Sequence, residues 1–387
     1  NLIVTNNTHG MGGGGIYCNS NSNPSLENIT IINNSATGSS GRGGGMRCNT
    51  NSDPSLVNVL ISNNTATQEG GGVFIYNSDP SFVNVTISGN LSSTSEGDGI
   101  FIKNNSSPNL LNTILWDNGN ELEFSDVDVS STITISYSNI EDGQDSIVTN
   151  ENGTVTWGAG NIDVDPMFVD TANGNYHLLA SSKLINAGHP GSTDSDGTRS
   201  DIGAYPYLNS YSGPTWYVNT EGNDTTGTGA SDSPFAAIQS AVNFATTDGD
   251  SVTVASGTYV ENINFRGRNI VVAGADIETT IVDGNQTGVV FDILGSTAAT
   301  LKDMTIQNGA GYWGGGISCV DATVALKDLE ITGNTAYAGA GVYGSNASLD
   351  MDNVTIQGNH SGNYAGALLA GRRADFNGPV TTISIAN

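Results

Sequence analysis

Positive charge is scarce in this sequence. Its 387 residues include 11 Lys and Arg against 38 Asp and Glu, which gives a formal net charge of −27. Proteins bind nucleic acid and anionic lipid through clusters of Lys and Arg that release counterions. Nucleic acid is therefore excluded as an expected partner, and an acidic polysaccharide would be repelled unless cations bridged the two. Solubility in a salty or calcium-containing medium is the simplest interpretation of the acidic excess.

Cysteine, histidine and long apolar runs are scarce as well. The three cysteines (Cys18, Cys48 and Cys319) and the four scattered histidines lack the spacing of a zinc site. No stretch approaches the ~20 apolar residues that span a membrane, so membrane insertion is not expected. No signal peptide is visible, and the first residues already follow the repeat described below, so we interpret the start as processed or truncated.

Glycine is abundant, with 51 residues, and the remaining polar content is largely Asn, Ser and Thr. These residue types favour turns and side-chain hydrogen bonds over helices. The apolar residues, 36% of the chain, occur in short alternating runs rather than at helical spacing. The composition predicts an all-β protein.

Internal repetition decides the predicted fold. In the first third of the chain, Pro24, Pro54, Pro80 and Pro108 are each followed by an Asn four residues later and another ten residues later, at intervals of 26 to 30 residues between copies. The first series is Asn28, Asn58, Asn84 and Asn112, and the second is Asn34, Asn64, Asn90 and Asn118. Glycine runs precede Met46 and Val73 with the same spacing.

A second repeat, with a strict period of 25, occupies the C-terminal part. Asp303, Asp328 and Asn353 form one series, and Gly316, Gly341 and Gly366 form another. Leucine-rich repeats have a similar length but need a leucine consensus that is absent, and a propeller blade is longer. These periods predict a right-handed parallel β-helix, in which each coil rests on the one before at about 4.8 Å.

Stacking in register would place equivalent residues of successive coils in columns. Ile16, Met46, Val73 and Ile100 would fill the interior, and both asparagine series would form amide ladders. Cys18 and Cys48 share one repeat position, where an inert pair of buried thiols is favoured over a disulfide.

The repeats are interrupted in the middle of the chain. Residues 165–170, 174–178, 183–188, 194–197 and 201–205 form the series DPMFVD, GNYHL, KLINAG, DSDG and DIGAY. This series resembles the segment that closes the β-helix in bacterial secreted proteins of the choice-of-anchor Q type, with Pro206 where that family has Glu and Asn186 where it has Asp. The resemblance implies an architecture and surface anchoring, but no activity.

A second β-helix is predicted to begin after this segment. The opening coil at 249–263 resembles that of pectate-lyase-like β-helices, and the later Gly-Gly-Gly-Ile coils resemble the passenger repeats of polymorphic outer-membrane proteins. A short amphipathic capping helix is predicted near 234–247, with Ser233 as N-cap and Pro234 at the first helical position. We therefore divide the chain into late coils (1–160), a closing segment and linker (161–213), and a capped start with early coils (214–387).

Both ends of the sequence are predicted to expose unpaired coil edges. Asn1, Leu2 and Ile3 lie within a coil pattern at one end, and Ile383 and Ile385 still follow a strand pattern at the other. Open edges seed association. The predicted partner is another copy of the chain, in an end-to-end homo-oligomer or a tandem array.

Catalytic chemistry has little support in the sequence. A uronate lyase needs a Lys or Arg base, and only Arg266, Arg268, Lys302, Arg372 and Arg373 could supply one in the C-terminal half. A hydrolase needs paired acids across a cleft, and no hydrolase motif surrounds the many acids present. We assign no catalytic residue.

Calcium is the only cofactor that the pattern predicts. Asp194, Asp196 and Asp201 place alternating carboxylates around Gly197, although the terminal Glu of an EF-hand loop is missing. A solvated acidic turn, or side chains that cap local backbone, is an equally good interpretation.

The favoured function is that of a secreted bacterial protein, extracellular or on the cell surface, with a structural or adhesive role. The alternative is a β-helix that acts on or binds extracellular polysaccharide. A row of exposed aromatic residues would favour sugar binding. Tyr17 and Phe74 are predicted to face outward, but Arg47 interrupts their column.

Overall fold

The computed structural model describes residues 1–371 and 381–386 and divides the chain into two compact units. Unit 1 comprises Asn1–Leu178 and Ser182–Leu208, and unit 2 comprises Leu179–Ser181 and Asn209–Asn387. The predicted right-handed parallel β-helix is confirmed. The predicted closing segment, 161–213, falls largely within unit 1.

Unit 1 contains twenty strands. They are β1 (Leu2–Thr5), β2 (Thr8–His9), β3 (Ile16–Asn19), β4 (Ser25–Ile32), β5 (Ser35–Ala36), β6 (Met46–Asn49), β7 (Ser55–Ser62), β8 (Thr65–Ala66), β9 (Val73–Tyr76), β10 (Ser81–Ser88), β11 (Leu91–Ser92), β12 (Ile100–Lys103), β13 (Asn109–Leu111), β14 (Ile114–Trp116), β15 (Leu122–Phe124), β16 (Ser131–Ser136), β17 (Asn139–Ile140), β18 (Gly153–Trp157), β19 (Phe168–Asp170) and β20 (Asn175–Leu178). Two short 3₁₀ turns lie at Gln144–Ser146 and Thr171–Asn173.

Unit 2 contains one helix and, among its described residues, seventeen strands. They are β21 (Thr215–Val218), α1 (Ile238–Phe244), β22 (Ser251–Val254), β23 (Gly257–Val260), β24 (Ile263–Asn264), β25 (Val271–Gly274), β26 (Thr280–Asp283), β27 (Phe291–Leu294), β28 (Ala299–Gln307), β29 (Ala310–Trp313), β30 (Ile317–Val320), β31 (Thr323–Thr332), β32 (Thr335–Ala338), β33 (Val342–Ser345), β34 (Ser348–Gln357), β35 (His360–Ser361), β36 (Leu368–Gly371) and β37 (Thr382–Ala386).

Each unit stacks equivalent strands of successive coils into parallel sheets. In unit 1 the orders are β1-β4-β7-β10-β13-β16-β18, β3-β6-β9-β12-β15 and β2-β5-β8-β11. In unit 2 they are β21-β22-β25-β28-β31-β34-β37, β24-β27-β30-β33-β36 and β29-β32-β35. Among the strands of the described chain, only β19 and β20 pair antiparallel. The predicted apolar column forms, since Ile16 pairs with Met46, Met46 with Val73, and Val73 with Ile100.

The series Asn34, Asn64, Asn90 and Asn118 forms a buried amide ladder inside unit 1. The Nδ2 of each Asn donates to the Oδ1 of the next, at 3.0, 2.9 and 2.9 Å. Each of these Oδ1 atoms also accepts the backbone N–H of the ladder asparagine one coil earlier. All four side chains are at most 1% exposed. The ladder therefore satisfies backbone donors in the turns where strand pairing is interrupted.

A glutamate takes the place of the next rung at the end of this ladder. The Glu121 carboxylate accepts the backbone N–H of Asn118 at 2.9 Å and its Nδ2 at 2.6 Å. Burial raises the pKa of Glu121 to about 8, the hydrogen bonds from Asn118 oppose this shift, and the neighbouring Glu141 reinforces it.

The other series, Asn28, Asn58, Asn84 and Asn112, forms a second ladder with the opposite direction of donation. Each later Nδ2 donates to the Oδ1 of the coil before, at 3.3, 3.2 and 2.9 Å. All four residues have positive φ, between 51° and 54°. This left-handed conformation, which Asn tolerates better than most residues, bends each long strand at the same point.

Unit 2 repeats both columns with different residues. Asn334 and Asn359 form its inner ladder, where Nδ2 of Asn334 donates to Oδ1 of Asn359 at 2.9 Å. The outer column is Asp303, Asp328 and Asn353, again with positive φ. Nδ2 of Asn353 donates to Asp328 at 2.7 Å, whereas Asp303 and Asp328 place two acidic residues at equivalent positions of adjacent coils.

The part of the closing segment that follows β20 within unit 1, Ser182–Leu208, is called the return segment here. It runs across the outer side of the long sheet of unit 1. The backbone N–H of Ala204 donates to Thr86 Oγ1 at 3.0 Å, and that of His189 donates to Asn112 Oδ1 at 2.7 Å. Leu60 and Ile114, which lie on this side of the sheet, are consequently 1% exposed. The segment therefore closes part of the sheet surface that would otherwise face solvent.

The capping helix is shorter and more deeply buried than predicted. It begins at Ile238 with Ala237 as N-cap, so the prediction of Ser233 as N-cap is wrong, because Phe235 pairs with Val218 of β21 instead. All seven helical residues are buried, and the polar ones are hydrogen-bonded: Ser240 Oγ donates to Asp224 at 2.7 Å, and Asn243 Nδ2 donates to the Ala180 carbonyl at 2.9 Å. The carboxylate of Glu261 accepts the first N–H groups of the helix, those of Ile238 and Gln239, at 2.8 and 3.0 Å.

The three cysteines are free and buried. Cys18 pairs in register with Cys48, as predicted for equivalent repeat positions. Burial raises the pKa of all three thiols. The interpretation as inert buried thiols fits this environment.

An exposed aromatic cluster on unit 2

Five aromatic side chains gather on and beside the β29-β32-β35 sheet of unit 2. This aromatic cluster consists of Tyr312, Trp313, Tyr337, Tyr343 and Tyr364. Trp313 aligns with Ala338, so the preceding tyrosines, Tyr312 and Tyr337, lie one above the other in adjacent coils. The period of 25 residues thus turns two distant tyrosines into neighbours.

The turn that follows each ring-bearing strand depends on glycine. Gly314 has φ +76° and Gly339 has φ +65°, a conformation that side chains rarely adopt. Gly315 is packed so closely that a Cβ atom would lie 2.5 Å from the Thr335 carbonyl oxygen. These constraints hold the strands of successive coils in a single register, and so hold the rings together.

The rings form a continuous set of contacts. Tyr312 and Tyr337 stack with centroids 4.6 Å apart and an interplanar angle of 12°. Trp313 contacts the edges of both tyrosines and stacks on Tyr343 at 5.2 Å. Tyr364 meets Tyr337 in a T-shaped contact at 6.3 Å. Offset-stacked and T-shaped pairs at such distances are attractive, so the rings are held in place before any ligand arrives.

The outer rings of the cluster remain open to solvent. Tyr312 is 62% exposed although its ring stacks on Tyr337. Tyr364 is 55% exposed and Trp313 36%, whereas Tyr343 beneath them is 5% exposed. An exposed group of large aromatic side chains on a supporting sheet is typical of an interaction surface.

Polar groups border the rings. Nδ2 of Asn363 donates to the Tyr337 hydroxyl at 2.6 Å, and Ser361 Oγ donates to the Tyr337 carbonyl at 2.9 Å. His360 lies exposed in the same sheet, paired with Thr335. The surface therefore combines flat apolar faces with hydroxyl, amide and imidazole groups.

The outward column predicted in unit 1 differs from this cluster. Tyr17 is 46% exposed, but Phe74, although it points outward from its strand, is only 2% exposed, so its ring offers no open face. The guanidinium of Arg47 lies between them, 5.2 Å from the Tyr17 ring and 5.1 Å from the Phe74 ring, and Arg42 covers Phe74 as well. The Arg47 side chain therefore packs between the two rings and is part of the column rather than a gap in it.

The aspartates predicted as calcium ligands accept hydrogen bonds from backbone N–H groups. Asp201 accepts the N–H groups of Asn186 and Tyr207, both at 2.7 Å, and Asp194 accepts that of Asp201 at 2.9 Å. Asp196 accepts the N–H and hydroxyl of Thr198. Burial raises the pKa of Asp201 to about 8 and that of Asp194 to about 6.

Within residues 1–371 and 381–386, no three His, Cys, Asp or Glu side chains have an arrangement that could hold a metal ion. The alternative interpretation of these aspartates, as caps of local backbone, matches the observed hydrogen bonds. Calcium binding itself stays a prediction.

Acidic residues also line a cleft in unit 1 of about 390 Å³, among them Glu121, Glu141, Asp117 and Asp142. Both oxygens of Glu121 are engaged by Asn118, and Glu141 accepts the N–H of Asp117 at 2.6 Å. These two carboxylates therefore complete the ladder and its turn.

The basic residues considered for lyase chemistry are dispersed. Arg266 donates to Asn243 Oδ1 at 2.9 Å, and Lys302 forms an ion pair with Asp303 at 3.0 Å. Arg372 and Arg373 lie outside the described residues.

The predicted assembly edges are exposed apolar strands. Leu2 is 54% and Ile3 66% exposed on β1, next to the exposed Asn1, and Ile383 and Ile385 are 36% and 73% exposed on β37. Whether these edges join copies of the chain stays a prediction.

Sequence reasoning missed the aromatic cluster. Tyr312 and Tyr337 are separated by the same 25 residues as the glycine and aspartate series, so the signal was present in the repeat. Tyr364 follows at 27 residues, and Trp313 and Tyr343 lack equivalents at this spacing. Only the folded coils bring these three beside the tyrosine pair.

Comparison with known proteins supports the fold over part of the chain. A sequence model described as "Right handed beta helix region" matches residues 39–163, within unit 1. Neither a curated protein nor a solved structure shows a significant match. Proteins with this architecture are often extracellular or surface-exposed, and among the described residues no helix is long and apolar enough to cross a membrane.

Proposed function

We propose that this chain is an extracellular β-helix protein of structural or adhesive type, and that it adheres to polysaccharide through the aromatic cluster of unit 2. The observation that carries the proposal is the exposure of Tyr312 and Tyr364 at the two ends of a ring set fixed by stacked coils. Aromatic faces pack against the apolar faces of sugar rings, while neighbouring polar groups bond to sugar hydroxyls.

The alternative that the cluster belongs to an enzyme has less support. Tyrosine, tryptophan and asparagine side chains bind and orient a sugar, but they do not supply the paired acids of glycoside hydrolysis. The closing segment at 165–205 is our reason to place the chain with surface proteins of the choice-of-anchor Q type. End-to-end association through β1 and β37 is a further part of the proposal, to be tested by sedimentation at increasing protein concentration.

Affinity electrophoresis in gels that contain soluble polysaccharides tests the proposed adhesion. The wild-type chain is expected to be retarded by at least one polysaccharide, and a Tyr312→Ala/Tyr364→Ala double variant is expected to bind at least about tenfold more weakly, because aromatic anchors dominate such surfaces. Tyr17→Ala is the matched control, since Tyr17 is an exposed tyrosine on unit 1. Equal retardation of the double variant and the wild type would contradict the proposal.

A further inference from the structure

We infer that the polysaccharide recognised by the aromatic cluster is uncharged. This inference rests on the proposed function and specifies its ligand. It depends on two features: the hydroxyl, amide and imidazole groups that border the rings, and the net negative charge of the coils that carry them.

No described cation contacts the cluster. The close approaches of Arg or Lys to aromatic rings in the described chain involve Phe74, Tyr17, Phe101 and Tyr137, all in unit 1. A uronate or sulfate group bound without a partner cation would lose its hydration without compensation. Among the described residues, therefore, no Arg or Lys side chain lies against these rings to pair with an acidic sugar.

The coils that carry the rings are themselves acidic. Between Ala310 and Tyr364 the only basic side chain other than histidine is Lys327, whereas the acidic ones are Asp321, Asp328, Glu330, Asp350 and Asp352. Lys327, Asp328 and Glu330 lie on β31, and Asp350 and Asp352 lie on β34, whereas the rings lie on and beside β29, β32 and β35. The acidic excess therefore acts on an approaching polymer through the field of the coils rather than by contact with the rings. An approaching polyanion would meet a field of its own sign, which lowers both association rate and affinity.

The groups that do border the rings suit a neutral sugar. The Tyr337 hydroxyl already accepts a hydrogen bond from Asn363 at 2.6 Å, so its own proton is free to donate outward. The exposed Tyr312 and Tyr364 hydroxyls both donate and accept. Sugar hydroxyl groups need such bifunctional partners, whereas a carboxylate needs donors alone.

The test compares neutral and acidic polymers with the full chain. Galactomannan and hydroxyethyl cellulose serve as neutral probes, and polygalacturonate and alginate as acidic ones, each in low and high salt and with or without calcium. We expect retardation by a neutral probe, a change in its affinity of less than about twofold with salt because no ion pair is screened, and a loss of at least about tenfold in Tyr312→Ala/Tyr364→Ala.

Tighter binding to an acidic probe, with or without calcium, that is lost in the double variant would overturn this inference and leave the proposed function intact. Retardation by a neutral probe that falls steeply with salt would also overturn it. Absence of binding to all four probes by a chain with native circular dichroism would count against the proposed function itself.

Discussion

Each unit of this protein carries a column of outward aromatic residues, and the two columns differ in which of their rings are open. In unit 1, Tyr17, Arg47, Phe74 and Phe101 align in successive coils, and both phenylalanines are at most 4% exposed. In unit 2, the tyrosine pair at 312 and 337 is 62% and 40% exposed. The same stacking rule therefore produces a stabilising column in one unit and an accessible surface in the other.

Arginine accounts for part of this difference. Arg42 and Arg47 lie over the Phe74 ring, and cation–π contacts of this kind are attractive where water is excluded. The described rings of unit 2 have no such cover. An outward aromatic residue in a β-helix thus gains a binding role only where the rest of the fold leaves its face free.

The asparagine columns show a parallel contrast. The outer column of unit 1 is an unbroken amide ladder that ends beneath the return segment, at Asn112, which is fully buried. The outer column of unit 2 contains two acidic residues at equivalent positions of adjacent coils, Asp303 and Asp328. Amides can donate and accept along a column, whereas ionised carboxylates only accept and repel one another.

The largest expected effect is on the inner ladder of unit 1. Asn90→Ala removes the acceptor of the Asn64 backbone N–H and Nδ2 and the donor to Asn118. Because several buried groups lose their partners, unit 1 should lose about 4 kcal/mol of unfolding free energy. Hydrogen-exchange mass spectrometry in urea measures each unit separately. Asn58→Gly in the more exposed outer ladder is the control, because glycine keeps the positive φ of 53° without strain; its expected loss is about 1 kcal/mol. An equal loss in both variants would refute a special role for the inner ladder.

The aromatic columns provide the second test. Phe74→Ala should destabilise unit 1 by about 3 kcal/mol through loss of a buried ring, and leave polysaccharide retardation unchanged. Tyr312→Ala should change the unfolding free energy by less than about 1 kcal/mol, since its ring is exposed, but weaken retardation. A binding defect in Phe74→Ala without unfolding would contradict the division of roles.

A third test uses pH, because burial raises the pKa of five carboxyl groups. In unit 1 the pKa of Glu96 is raised, those of Glu121 and Asp201 are raised to about 8, and that of Asp194 to about 6, and in unit 2 the pKa of Glu261 is raised to about 7. Between the ordinary pKa and the raised one, the folded state binds more protons than the unfolded state. The stability that these groups contribute is therefore fully present below about pH 4 and is lost as the pH rises towards 8.

With four such groups against one, unit 1 should lose more stability than unit 2 between pH 5 and pH 8. Urea unfolding at several pH values, followed by hydrogen exchange, measures this difference. Glu121→Gln, which resembles the protonated acid, should flatten the dependence in unit 1 alone. A stability of unit 1 that rises with pH would exclude this explanation.

The smallest expected effect comes from making the outer column of unit 2 resemble that of unit 1. Asp328→Asn removes one of the two carboxylates in adjacent coils, keeps an acceptor for Asn353, and adds an amide donor towards Asp303. It should stabilise unit 2 by about 0.5 kcal/mol. Asp350→Asn is the control for the change in net charge, because Asp350 is an exposed acid on β34 outside this column and pairs with Ala325 and Ser384 rather than with a charged residue. Stabilisation of equal size in both variants would attribute the effect to general repulsion.

Much of the architecture followed from the repeat alone. The spacing of Asn34, Asn64 and Asn90 predicted their contacts, because side chains one coil apart in a parallel stack are neighbours whatever the rest of the chain does. The capping helix was predicted in the correct region but with the wrong first residue. Phe235 had a strand partner in β21, and local propensity carries no information about such distant pairing.

By itself, the sequence determined that the chain stacks in register, because a constant period converts into columns through local geometry. Tertiary structure alone decided which columns are covered. Phe74 and Tyr312 both point outward from their strands, and whether arginine covers a ring or its face stays open depends on contacts between residues far apart in sequence. The candidate binding surface of this protein therefore depends on these non-local contacts.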